Sequence, residues 1–414
     1  MTFTGLFWKM NSSNHGALLV DPLVRRLCFC SIFNAVLFFC TVFIVGTCFV
    51  AFDYNEKVST GIPTDIVEIT QRSNNLTKAH PPVPNLESTE SNSCKGSCIT
   101  SGSERLPKGI VSRTSDLEMV PLWGSPKAKR IPAAQKSLLA IPVGIKQKEI
   151  VNQIVTKFDT RDFAVMLFHY DGVVDEWRDL EWSGNALHIA AIDQTKWWFA
   201  KRFLHPDVVA PYKYIFLWDE DIGVDNFHPN KYLRIVEREG LEISQPALDL
   251  KKSQIHHWIT ARLSKGDVHR RMYKFNGGGR CYANSSGPPC TGWVEMMAPV
   301  FSRAAWRCVW HMIQNDLIHA WGLDKRLGYC AQGDRSKNVG VVDREYIVHM
   351  GLTTLGQLDE KNASPNSPTV RDRFAVRRRS YIESEIFRKR WKKAAEEDKC
   401  WINPYPDPES NSRR

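Results

Sequence analysis

No charged residue falls between positions 27 and 52, no glycine-rich loop opens a helix after a first strand, and no segment repeats along the chain. The first absence leaves a predominantly apolar run long enough to cross a bilayer as a helix, whereas a core helix seldom goes about seven turns without a charge. The second removes the motif that dinucleotide-dependent enzymes use to cradle a pyrophosphate. The third excludes solenoids and propellers. The cysteine spacings supply no four-ligand set, so they do not point to structural zinc. The formal net charge of +10 comes without a zinc-finger, aromatic RNP or helix-turn-helix pattern, and the expectation is no nucleic-acid partner. Much of that excess lies outside the globular part, at Lys127, Lys129, Arg130 and Lys136 and in a tail that includes Arg377, Arg378, Arg379, Lys392 and Lys393.

What is present has a clear order. Lys9, Arg25 and Arg26 precede the apolar run, while Asp53, Glu56 and Lys57 follow it, so the positive-inside rule puts the N-terminus in the cytosol. No small-x-small cleavage site follows the run, which favours an uncleaved anchor over a signal peptide. The expected organisation is a cytosolic tail at 1–26, a single-pass anchor at 27–52 and a Ser/Thr/Asn/Pro-rich stem at 53–131. A folded domain at 132–357 and a basic tail at 358–414, carrying a charged helix, complete it. Everything after the anchor would then be luminal. Cys94, Cys98, Cys281, Cys290, Cys308, Cys330 and Cys400 would face an oxidising compartment. Cys281 and Cys290 bracket a Gly/Pro/Ser loop and form the disulfide candidate, because a bridge there would hold an otherwise loose segment. Asn75, Asn284 and Asn362 stand in glycosylation sequons.

Within the folded part, 137–143, 163–170 and 212–218 read as buried strands, with helices expected at 147–158 and 188–203 between them. Further strands are expected at 294–301 and 339–348, separated by a helix at 303–321. Strand and helix in alternation predict an α/β fold built on a mainly parallel open sheet flanked by helices.

The chemistry concentrates after the 212–218 strand, where Asp219, Glu220 and Asp221 follow in sequence. Open α/β sheets bind ligands at the C-terminal ends of their strands. Two positions apart, Asp219 and Asp221 project to one side in extended backbone and could share a hard cation, Mn²⁺ or Mg²⁺, with a diphosphate completing the shell. Glu220 points elsewhere, towards a structural hydrogen bond or a sugar hydroxyl. In the 275–295 stretch, Gly278 would let backbone approach a sugar, and Trp293 offers a stacking face beside Glu295, which makes these three an acceptor-loop candidate.

This arrangement resembles the GT-A glycosyltransferase fold, in which an Asp-x-Asp motif closes a nucleotide-binding half-sheet. The segment from about 136 to 356, including Trp197-Trp198-Phe199-Ala200-Lys201-Arg202 and Gln245-Pro246-Ala247-Leu248-Asp249, resembles a plant family of unknown function. Members of that family often carry the label lysine-ketoglutarate reductase trans-splicing-related, for which the sequence offers no chemistry. The GT-A resemblance implies that Asp324, in Trp321-Gly322-Leu323-Asp324, accepts the acceptor hydroxyl's proton. It also implies that His349 joins Asp219 and Asp221 as a third metal ligand. The expected function is sugar transfer from a nucleoside diphosphate donor to a hydroxyl of a glycan or glycoconjugate, by a single-pass Golgi membrane protein, with inversion slightly favoured. The alternative is a catalytically silent luminal carbohydrate-binding or scaffolding protein of the same fold. Donor sugar, acceptor and oligomeric state are properties of pocket and surface shape that motifs do not carry.

Overall fold

The computed structural model describes residues 101–111, 136–263, 266–272, 281–282, 285–352 and 368–405. The expected anchor at 27–52, Gly278, and the sequons at Asn75, Asn284 and Asn362 lie outside these residues. Among the described residues, no helix is long and apolar enough to cross a membrane.

The elements run β1 (Lys136–Val143), α1 (Lys148–Thr156), β2 (Phe163–His169), β3 (Leu187–Ala190), α2 (Lys196–Phe203), β4 (Tyr212–Leu217) and β5 (Ile222–Gly223). They continue with α3 (Pro229–Arg238), β6 (Ile243–Leu248), β7 (Val268–His269), β8 (Val300–Ser302) and α4 (Arg303–Met312). The last are α5 (Arg335–Asn338), β9 (Val339–His349) and α6 (Pro368–Glu397). Among the described residues the strands join in one sheet ordered β3-β2-β1-β4-β8-β6-β9-β5, with β7 also on β9.

The sheet is mixed, which corrects the expectation of a mainly parallel one. β3, β2, β1 and β4 are parallel neighbours, as are β6 and β9. β8, however, runs antiparallel to both β4 and β6, and β5 and β7 run antiparallel to β9.

Period-two side chains place a core on each face. In β1, Leu138 and Ala140 join one cluster, while Leu139, Ile141 and Val143 join the other. In β4, Ile215 and Leu217 go one way and Tyr214 and Phe216 the other. α2, α4 and α6 cover the first face through Phe199, Trp306, Trp310 and Trp391. α1 and α3 cover the second through Val151, Ile154, Tyr232 and Val236. Burial on both faces explains why these strands read as continuous apolar runs.

Three expected elements differ. The 188–203 helix is shorter, because Leu187–Ala190 pairs with β2 as a strand and the helix starts only after Thr195, whose hydroxyl caps it by accepting from the Trp198 N–H. The 303–321 helix stops at Met312; beyond it the chain reverses through Ala320 at φ +57° and Gly322 at φ +91°, which no α-helix accommodates. The 294–301 strand shrinks to Val300–Ser302.

The expected stem and tail also contribute to the core at particular positions. Leu106 and Ile110 are buried in the first cluster together with Phe387, Trp391 and Ala394 of α6. The indole N–H of Trp401 donates to the Arg105 carbonyl at 3.0 Å, and the Lys108 N–H donates to Asp398 at 3.0 Å. The basic character of α6 had hidden its apolar stripe. Ile110→Val should therefore cost about 1 kcal/mol in denaturant unfolding, the usual loss for a buried methylene. A loose stem would give no measurable change.

Candidate active site

β4 carries the chain to the C-terminal edge of the sheet, and Asp219, Glu220 and Asp221 follow at once. β5 then pairs with the end of β9, setting Ile222 opposite His349. The Met350 N–H donates to the Asp221 carbonyl at 3.0 Å. This short antiparallel pairing brings residues 128 positions apart in sequence to one place, and His349 Nε2 stands 3.5 Å from Asp221 Oδ2.

The histidine ring is oriented from behind. Its Nδ1 donates to the Gln254 carbonyl at 2.9 Å, and its backbone N–H donates to Ser253 Oγ at 3.2 Å. A ring whose Nδ1–H is held by a carbonyl turns the Nε2 lone pair to the opposite side, here towards the carboxylate. Asp221 Oδ2 also accepts the Leu352 N–H at 2.9 Å. Burial foremost, and then the charge of Asp219, push the Asp221 carboxyl above its ordinary value, while His349 opposes the rise. Asp219, Asp221, His349, Gln254, His256 and Pro142 line a cleft of about 300 Å³.

Asp219 does not complete a triad. Its Oδ1 accepts from Lys196 Nζ at 2.6 Å, and the same ammonium donates to the Met296 carbonyl at 2.6 Å. Among the described residues, no three His, Cys, Asp or Glu side chains gather closely enough to hold a metal. Of the expected set of Asp219, Asp221 and His349, the structure brings Asp221 and His349 to 3.5 Å and pairs Asp219 with Lys196. The sequence reading missed Lys196. A helix expected from 188 places Lys196 in a helix interior, whereas the structure sets it in the first turn, next to the positive end of the dipole, where a cation is locally unfavourable.

Glu220 turns inward. Its Oε2 accepts the Gly144 N–H at 2.7 Å and its Oε1 accepts the Tyr170 hydroxyl at 2.5 Å. Burial raises its carboxyl to about 8, against the pull of those two bonds. Glu220 ties β1's end and β2's end to the acidic turn, the structural role among the two expected. A Cβ at Gly144 would sit 2.3 Å from the Tyr170 hydroxyl oxygen, so a larger residue there would displace the tyrosine from Glu220.

Asp324 and Glu295 lie close enough to the acidic turn for Asp219 and Asp324 both to act on the Glu295 carboxyl. Asp324 opens a 3₁₀ helix (Asp324–Cys330), and its Oδ2 accepts the Trp293 indole N–H at 3.1 Å. Trp293 is buried, with the His257 ring packed edge-on at 4.7 Å, so its face is not open for stacking. Glu295 is half-buried, with Thr260 Oγ1 3.4 Å away. Burial raises the Glu295 carboxyl to about 8; the charges of Asp324 and Asp219 add to the rise, and the Thr260 bond opposes it. Glu295 thus feels both Asp219 and Asp324.

Because the folded value exceeds the unfolded 4.5, the contribution of Glu295 to stability is fully present below about pH 4.5 and is lost as pH rises towards 8. Glu295→Gln should therefore gain melting temperature relative to the parent between pH 5 and pH 8.5. A difference that stays constant across that range would contradict the assignment.

The Cys281–Cys290 bridge is present, as the loop composition suggested. A second, Cys308–Cys330, joins α4 to the Asp324–Cys330 helix and was not anticipated; Cys400 is also disulfide-bonded.

No curated protein matches the chain. Among solved structures, the crystal structure of S. aureus TarS 1-349 aligns with a TM-score of 0.35 at 9% identity, covering 51% of this chain and 59% of that one. The same protein in complex with UDP aligns with a TM-score of 0.34 at 10% identity, covering 63% and 70%. This chain therefore spans under two thirds of the first neighbour. The model of the family described as "Protein of unknown function (DUF707)" matches residues 97–397, most of the chain, and the protein belongs to that family.

Proposed function

We propose that this protein is a metal-dependent glycosyltransferase that moves a sugar from a nucleoside diphosphate donor to a hydroxyl of a glycan or glycoconjugate. The observation that carries the reading is the convergence of Asp221 Oδ2 and His349 Nε2 at 3.5 Å, on a cleft at the C-terminal edge of β4. Two ligands about 2.1 Å from one cation stand roughly 3 to 3.5 Å apart when cis, so the spacing suits Mn²⁺ or Mg²⁺. Gln254 fixes the tautomer that leaves Nε2 free to ligate. A divalent cation held by Asp221 and His349 would offset the charge growing on the departing diphosphate.

Asp324 takes the proton of the attacking hydroxyl in this reading. Trp293 fixes the orientation of its carboxylate, which leaves the second oxygen for the acceptor. Glu295, near enough to Asp219 and Asp324 for both charges to act on its carboxyl, supplies a hydrogen-bonding partner for the acceptor. Inversion is the outcome that a separate proton acceptor favours.

A luminal, single-pass Golgi location belongs to the same proposal. Its supports are the charge-free run at 27–52 behind Arg25 and Arg26, and the disulfides Cys281–Cys290 and Cys308–Cys330, which persist in oxidising compartments.

The test is nucleotide release by the purified full-length chain from a panel of UDP-, GDP- and CMP-sugars, with and without Mn²⁺, beside Asp221→Ala. Release of one nucleotide that needs both Mn²⁺ and Asp221 supports the reading and identifies the base. Folded protein that releases none, and binds none of the nucleotides in calorimetry, sinks it in favour of a silent carbohydrate-binding protein.

A further inference from the structure

Lys196 breaks two local rules at once. It occupies the first position of α2, directly after the Thr195 cap, where the helix dipole presents positive charge. It is also only 8% exposed, although lysine is among the residues least often buried. A residue that violates local preference on both counts is expected where a site requires it. Its ammonium meets two acceptors at 2.6 Å each, Asp219 Oδ1 and the Met296 carbonyl. These contacts bind α2 to the acidic turn and to the 296–299 segment that borders it.

Asp219 therefore already has its cation. The carboxylate lies 23 positions from Lys196 in sequence, is 38% exposed at its side chain and lines the same cleft as Asp221 and His349, with Oδ1 taken by the ammonium. The pair is neutral overall.

Building on the donor-site reading, we propose that Lys196 is the resident counter-ion of Asp219 and keeps it out of the metal shell. The cation then has two protein ligands, Asp221 and His349, and its remaining positions fall to diphosphate oxygens and water. The consequence is interdependence: metal and nucleotide each lack a full set of partners alone, so each strengthens the other's binding. By linkage the two enhancements are equal.

Calorimetric titration of the full-length protein with Mn²⁺, with and without UDP, separates the possibilities without an assay of turnover. Replacing the pair as a unit, with Lys196→Met and Asp219→Asn together, leaves its net charge unchanged. If Asp219 is not a ligand, this double variant binds Mn²⁺ within about threefold of the parent, whereas Asp221→Asn loses about tenfold or more. Lys196→Met alone frees Asp219 to become a third ligand, and Mn²⁺ should bind about tenfold more tightly than in the parent. Melting curves of each variant confirm that it is folded; Lys196→Gln substitutes if the methionine variant is not.

A double variant as weak as Asp221→Asn would overturn the proposal, and so would a Lys196→Met variant that binds no more tightly. Failure of the donor-site reading looks different: the parent would bind no Mn²⁺ with or without UDP. In that case Lys196→Met decides alone. Acquired Mn²⁺ binding supports the role of Lys196 as the group that excludes Asp219 from the shell, and continued absence of binding overturns it.

Discussion

His349→Ala should lower Mn²⁺-dependent nucleotide release by about 10²-fold or more, since altering even an outer-shell partner of a metal commonly costs 10- to 100-fold and His349 is proposed as a direct ligand. The loss should appear first in the Mn²⁺ concentration needed for half-maximal rate, and part of it should be recovered at saturating metal. The structure gives reasons to expect a clean effect. His349 ends β9, and its backbone contacts, the carbonyl to the Gln254 N–H at 2.9 Å and the N–H to Ser253, do not depend on the ring. The truncated protein should therefore keep its fold. If release were unchanged at every Mn²⁺ concentration, Asp221 and His349 would be no more than a buried polar pair.

The second large effect concerns Cys308–Cys330. The bridge closes a loop with a sequence separation of 22, both sulfurs lie in the first core cluster, and that loop contains Asp324. Loop-closure entropy for a span of this size is worth about 3 kcal/mol. Replacing both cysteines by alanine should lower unfolding stability by about that amount. It should also reduce activity at temperatures where the protein is still folded, because the turn carrying Asp324 is then held to α4 by packing alone. Loss of Cys281–Cys290, with a separation of 9, should cost less. Equal and negligible effects of the two removals would show that neither bridge constrains the unfolded chain.

Much of the cluster of Asp219, Glu220, Asp221 and His349 was legible in the sequence. A run of β-branched and aromatic residues ending in Asp219-Glu220-Asp221 reads as a buried strand delivering carboxylates to a sheet edge, and β4 does this. His349 was legible as a strand end. What the sequence did not contain was the pairing partner: β5 is two residues long, below what periodicity can register, yet it is the contact that brings His349 to Asp221. Lys196 was hidden for a different reason. Its significance lies in a 2.6 Å contact across 23 positions, and nothing in the Thr-Lys-Trp-Trp sequence distinguishes a buried lysine from a solvated one.

The same limit explains the region of Trp293 and Asp324. Trp293 reads as an exposed aromatic beside a glycine-rich loop, but its indole N–H found Asp324, and a tryptophan whose polar edge has a partner is readily buried. The mixed sheet was missed because β8, three residues long, enters antiparallel between two strands that otherwise continue a parallel pattern. The charged composition of α6 concealed Phe387, Trp391 and Ala394, one stripe at spacings of four and three on an otherwise solvated helix.

The most direct test of the donor site is anomalous diffraction at the manganese edge from crystals of the protein grown with Mn²⁺ and UDP. The expected result is one manganese peak within about 2.3 Å of both Asp221 Oδ2 and His349 Nε2, with diphosphate density beside it. A fully occupied peak elsewhere, or UDP bound with the Asp221–His349 pair left unligated, would contradict the assignment of this cleft as a metal-dependent donor site.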